Sequence, residues 1–173
     1  MPHATLRFNV DPDQGVSDDE IVKILDKVHL WKPLSAHHSG QDAALVLNTN
    51  LASLPVLSGG QTQLVALARA LAKNEALRLR QEYKDEVSNF RPILLLDEAT
   101  SSLDPIAEAI IHDVIDEEFV AKGHTTFMVT HNPDAVTSRM REGDMLVWMK
   151  DGIIEKVTMV NGIPSQEDSR IET

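Results

Sequence analysis

The chain has 173 residues, the size of one ordinary domain, and a chain this long can bury about two-thirds of the surface it exposes when unfolded. Sixteen Lys and Arg stand against 27 Asp and Glu, a net charge of −11, which argues against a nucleic-acid binder and against a polybasic hold on anionic lipid. The absence of Cys excludes disulfide frameworks and thiolate metal sites, and 4% aromatic residues are too few for a base-stacking platform.

Residues 5–10 (TLRFNV) read as extended, followed by a turn at Asp11-Pro12-Asp13. The start of the chain has no apolar core of a secretory signal. Ser17 can cap a helix, with Glu20 completing a capping box, and Ile21, Ile24, Leu25 and Val28 form its apolar face. That helix should end near Trp31, before Pro33. Residues 33–56 read as irregular and polar. Within them His37-His38 is either a solvated loop or a metal site lacking partners at suitable spacing.

A second helix should begin just after Gly59-Gly60, with Leu64, Val65, Leu67, Ala68 and Leu71 as its apolar set. Residues 43–68 are the longest stretch without charge. Asn48, Asn50, Pro55, Gly59, Gly60 and Gln61 interrupt it, so no membrane span is expected and a cytosolic placement is. The charged segment 73–90 is a helical extension or a surface insertion. Ile93–Leu96 reads as a strand covered on both faces.

Asp104-Pro105 has the form of an N-cap and first-turn proline, opening a helix through Ile106, Ala109, Ile110, Val114 and Ile115. Asp116-Glu117-Glu118 reads as a solvated face. Residues 125–130 (TTFMVT) are strand-prone, and Asn132-Pro133 repeats the cap-and-proline start. Met145–Met149, the Asp151-Gly152 turn and Ile153–Val157 read as a hairpin in which Met145, Trp148 and Met149 pack. The remainder, 158–173, is a polar tail.

Four pieces can carry chemistry. Ser58-Gly59-Gly60-Gln61 at a helix start exposes N–H groups and the positive end of the helix dipole, so it is either a simple cap or an anion site. An apolar strand ending in Asp97-Glu98 either meets a solvated acidic turn or places two carboxylates where open α/β sheets bind ligands. There Asp97 suits Mg²⁺ held through water, and Glu98 suits a base for an attacking water. Ser101-Ser102-Leu103-Asp104 follows. Thr130-His131 closes the second strand-prone run, where His131 is structural or a phosphate hydrogen-bonder.

In this order the four pieces resemble the ATP-binding-cassette ATPases: the LSGGQ signature, Walker B with its Glu, the D-loop and the switch His. The resemblance covers residues 1–157. It implies a P-loop NTPase-like α/β fold in its C-terminal portion, with 1–90 as a mainly helical signature subdomain. Residues 91–157 would run from Walker B through a parallel-sheet core to the C-terminal hairpin. It further implies that Ser58, Gly59, Gly60 and Gln61 contact ATP held by a partner domain. Asp97, with Mg²⁺, and Glu98 and His131 would serve nucleotide on this chain's own side, while Asp104 communicates between the two. Residues 4–12 with 17–21 are similar to the C subfamily, the multidrug-resistance-associated exporters, and most to their second nucleotide-binding domain in fungal full-length transporters. Asn132 departs from the Arg common after the switch His.

A Walker A loop, G-x-x-x-x-G-K-[ST], is missing from these residues: none of the eight Gly is followed by Lys. The family's Q-loop Gln and adenine-stacking aromatic are missing too. The resemblance therefore implies an N-terminally truncated domain on the cytoplasmic face of a membrane, inactive alone, whose partners are a complete nucleotide-binding domain and transmembrane domains. The absent strands should leave an unpaired apolar sheet edge. Three rivals remain. One is a non-enzymatic module donating the LSGGQ face to a complete domain, and another an incomplete gene product. The third, a soluble ATPase of the DNA-repair or translation type, sits poorly with the acidic balance and the start of the chain.

Overall fold

A computed structural model describes residues 3–36, 42–83, 91–100 and 103–160, in two compact units, Met1–Thr130 and His131–Thr173. His37-His38, Ser101-Ser102, the end of the charged segment (84–90) and the tail from 161 lie outside the described residues.

The first unit opens with α1 (Leu6–Val10), where an extended segment was expected. The β-prone residues are used for pairing only at Thr5, which bridges Asn50 in antiparallel fashion. Thr5 Oγ1 then caps the helix by accepting from Phe8 N at 3.2 Å, and Leu6 and Val10, one turn apart, are both fully buried. α2 (Asp18–Lys27) starts as expected, with Ser17 Oγ accepting from Glu20 N. It stops at Val28 rather than near Trp31, because His29 takes a left-handed φ of 58°. Trp31 instead begins α3 (Trp31–Ser35), with Pro33 in its first turn, where a proline needs no N–H. The expected irregular stretch also holds α4 (Ala43–Leu47) and a 3₁₀ turn (Leu51–Ser53), which bury Val46 and Leu47.

α5 (Gly59–Tyr83) is the spine of this unit, and the charged segment extends it as helix as far as Tyr83. Leu64, Val65, Leu67, Ala68 and Leu71 are all buried, in one core with Leu6, Ile21, Leu25, Leu34 and Leu47. Apolar burial at about 25 cal/mol per Å² is the main force holding α1 on α5 and α3 and α4 on α2, since five-residue helices have no stability of their own. Arg69 Nε, on the second turn beyond this start, donates to Asn9 O at 2.8 Å and fastens α1.

β1 (Leu94–Asp97) and β2 (Thr126–Val129) pair in parallel, Leu94 opposite Thr126 and Asp97 opposite Val129. Leu94 and Leu96 are buried, but Ile93 and Leu95 are exposed, as are Phe127 and Val129. The sheet is therefore covered on one face, not on both, and among the described residues it has two strands. Between them runs α6 (Pro105–Ile115), which buries Ala107, Ile111, His112, Val114 and Ile115. Ile106 and Ala109 are exposed, because the buried stripe begins at Ala107.

α6 passes into a π turn (Asp116–Val120) closed by Ala121 N donating to Asp116 O at 2.8 Å. The acidic run here is not merely a solvated face. Glu118 accepts from Lys27 Nζ of α2 and from Lys122 Nζ, both at 2.5 Å, and its side chain is only 15% exposed. Burial pushes the Glu118 carboxyl up, but the Lys122 and Lys27 ammonium groups outweigh it and hold it below the usual value. A carboxyl so lowered stabilises the fold above its unfolded pKa and loses that contribution as pH falls through the folded one. Glu118→Gln is expected to lower the thermal midpoint by about 2–4 °C at pH 7, with the deficit shrinking as pH falls below the ordinary carboxylate range. Scanning calorimetry over that pH range checks it; a pH-independent deficit would refute the ion-pair account.

In the second unit a short α7 (Asp134–Thr137) follows Pro133, which occupies the N-cap itself with no side-chain cap bond. The N-cap position thus falls on Pro133, one residue later than expected. β3 (Met145–Lys150) and β4 (Ile153–Met159) form the expected hairpin, with a bulge between Trp148 and Met149. Asp151 and Gly152 both have positive φ, 50° and 77°, the requirement of a tight two-residue hairpin turn. Met145, Trp148 and Met149, expected to pack, are exposed. No helix among the described residues is long and apolar enough to cross a membrane.

Candidate functional site

The start of α5 is a reciprocal capping box. Ser58 Oγ accepts from Gln61 N at 3.1 Å, and Gln61 Oε1 accepts from Ser58 N at 2.9 Å. The first intrahelical bond runs from Thr62 N to Ser58 O at 3.0 Å. The N–H groups of Gly59 and Gly60 come before that bond and have no partner within the helix. Ser58 and Gly59 are exposed, and a Cβ built on Gly59 would meet nothing within 4 Å. Gly60 is buried.

Asp104 organises a second helix start close by. Its Oδ1 accepts from Ile106 N at 3.1 Å and from Ala107 N at 3.0 Å, with Pro105 in the first turn as the sequence led one to expect. The two starts touch at Gly60: a Cβ there would lie 2.8 Å from Ala107 Cβ and 3.3 Å from Asp104 Oδ2. Ser58, Gly59, Gly60, Gln61 and Asp104 thus belong to one surface built from the first turns of α5 and α6.

Asp97 ends β1, and Glu98 follows it, both exposed. Glu98 N donates to Val129 O at 3.0 Å, which prolongs the parallel ladder one residue past the strand. Glu98 does so with φ at 47°, in the left-handed region that costs a non-glycine residue about 1–2 kcal/mol. His131 opens the second unit directly after Thr130 and is exposed.

Two features had no clear signal in the sequence: the Ala107 methyl against Gly60, and the backbone of Glu98. A small residue three positions after a capping Asp is too common to mark a helix contact, and Glu carries no left-handed preference.

No protein-family model matches the chain. It is 32% identical over 165 residues to the ABC transporter C family member 9 of Arabidopsis thaliana, an alignment covering 95% of this chain and 9% of that protein. It is 36% identical over 151 residues to the multidrug resistance protein mrp-7 of Caenorhabditis elegans, covering 87% of this chain and 8% of that one. The fold matches the structure of a bacterial Atm1-family ABC exporter with ATP bound, at a TM-score of 0.61 and 23% identity, over 91% of this chain and 23% of that one. The chain therefore spans a small part of the length of the relatives it matches.

Proposed function

We propose that this chain, which belongs to the ATP-binding-cassette nucleotide-binding domains, takes part in the ATP binding and hydrolysis that drive transport in an exporter of the C type. The observation that carries the reading is the surface at Gly60. There a capped helix start, whose glycine amides precede the intrahelical ladder, sits against Asp104, in the chain order signature, Walker B carboxylates, D-loop, switch His.

Gly59 and Gly60 present amides, and Ser58 its hydroxyl, to the phosphates of ATP held on another domain's phosphate loop, in a turn that Gln61 closes. Asp104 adjoins that turn. Asp97 and Glu98 face nucleotide on the chain's own side. Glu98 orients a water and takes its proton as the water attacks the γ-phosphate in line. The role of His131 as a phosphate hydrogen-bonder rests on its place in the motif order alone.

No cluster of three or more potential metal ligands occurs among the described residues. A single exposed carboxylate at a strand end nonetheless fits Mg²⁺, which keeps several waters and fills its shell from substrate phosphates. Asp97 would hold it, and the ion supplies charge neutralisation of the phosphoryl group when bound.

The 173 residues contain no phosphate loop, so the loop comes from elsewhere in a longer protein or from another chain. In the latter case the chain is a non-enzymatic module that completes or inhibits a full domain. As part of a longer transporter it lies on the cytoplasmic face of a membrane beside transmembrane domains; as a free chain it is cytoplasmic. The purified chain with Mg²⁺ and ATP is expected to release phosphate no faster than a blank. Robust turnover that Glu98→Gln abolishes would overturn this expectation.

A further inference from the structure

We infer that Ala107 is a positioning residue for the signature turn: Gly60 is bare to admit the Ala107 methyl, and Gly59 alone keeps an open side for a phosphate. This rests on the reading of Ser58–Gln61 as an ATP-facing turn.

The two adjacent glycines differ sharply in surroundings. Gly59 is exposed with open space where a side chain would stand, whereas Gly60 is buried and faces Ala107, Asp104 and Leu103. The 2.8 Å between a Cβ at Gly60 and Ala107 Cβ is shorter than real Cβ contacts, so the first turn of α5 would have to lift from α6. Ala107 cannot give way easily. It is buried, and its N–H is held by Asp104 Oδ1 at 3.0 Å.

Ser58 and Gln61 cap the turn that contains Gly60, so a displaced Gly60 carries both with it. Asp104 sits on the same contact. Its Oδ1 caps α6 while its Oδ2 lies toward Gly60, so one carboxylate faces the positive ends of two helices that would otherwise repel. Ala107 thus sets the height of the signature turn over α6 without touching nucleotide.

The test is a methyl exchange in the full chain. Gly60→Ala, Ala107→Gly and the double variant are compared with wild type by thermal midpoint. They are also compared by association with a complete nucleotide-binding domain of a C-type exporter in Mg²⁺ and ATP. Gly60→Ala is expected to weaken association at least about tenfold, since a displacement approaching 1 Å is costly in a positioned site. Ala107→Gly weakens it about threefold by loosening the seat, and the double variant returns to within about threefold of wild type with a non-additive recovery of midpoint. Association that stays lost in the double variant while the midpoint recovers overturns the inference, because Gly60 then faces the nucleotide itself. Additive midpoints overturn it too, by denying the contact. A wild-type chain that never associates, with midpoints still non-additive, instead overturns the ATP-facing reading and leaves the packing contact standing.

Discussion

Ser58→Arg is expected to abolish ATP-dependent association of the chain with a complete nucleotide-binding domain, a loss of at least about 100-fold in affinity, or roughly 2.7 kcal/mol. Three effects act together. The capping hydroxyl that accepts from Gln61 N is lost. A cation is placed at the positive end of α5. The long side chain stands over Gly59, whose surroundings are open and which the phosphate would approach. The fold should survive, because Ser58 is exposed and contributes to stability mainly as a cap, worth about 1 kcal/mol. A fall in thermal midpoint of about 2–4 °C corresponds to that. Titration calorimetry with and without Mg²⁺ and ATP separates the two effects. Ser58→Ala removes the cap alone and should cost most of the midpoint change and only part of the affinity. Equal affinity losses in the Ala and Arg variants would show that the cap, not the anion approach, is what the partner reads.

What could be read from the sequence followed from how local each signal is. The caps at Ser17, Ser58 and Asp104 were legible because a hydroxyl or carboxylate just before a helix satisfies N–H groups two or three residues later, within the same turn. The hairpin was legible because Asp151-Gly152 accepts the two positive φ angles its turn demands. The failures share an opposite character. Residues 6–10 have a β-prone composition, yet they are helical because Leu6 and Val10 find one buried face against α5 and Arg69 reaches Asn9 O, sixty residues away in sequence. Glu118 reads as one of three acidic residues in a solvated run until Lys27, from a helix 91 residues earlier, arrives at its carboxylate. The Ile93–Leu96 run has the apolar continuity of a strand buried on both faces, but Ile93 and Leu95 are bare. A sequence of that kind fits a sheet with a further layer against it, which is consistent with a segment that occupies only 9% and 8% of two longer relatives. At the site, residue types and order were readable one element at a time. The seating of Gly60 on Ala107 was not, because it joins the first turns of two helices whose starts, Gly59 and Pro105, are far apart in the chain.

Glu98 carries the second large prediction, in which activity and stability move in opposite directions. In a nucleotide-binding domain completed with its phosphate loop, Glu98→Gln should slow hydrolysis by about 10²–10⁴-fold while ATP still binds, since the amide keeps the shape and cannot take the proton. The backbone gives an independent arm. Glu98 holds φ at 47° because its N–H must reach Val129 O to prolong the parallel ladder, and a side chain in that region is strained. Glu98→Ala removes the carboxylate and keeps the strain, whereas Glu98→Gly removes both. The Gly variant should therefore be more stable than the Ala variant by about 1 kcal/mol, or about 2–4 °C in midpoint, although glycine ordinarily costs entropy. Both should be as inactive as Glu98→Gln. If Ala is the more stable of the two, the left-handed backbone is not strained and its link to function fails. If Gly wins and all three variants lose turnover, the chain tolerates a less stable backbone at the end of β1 to present one carboxylate. That is the trade expected of a catalytic residue and not of a solvated acidic turn.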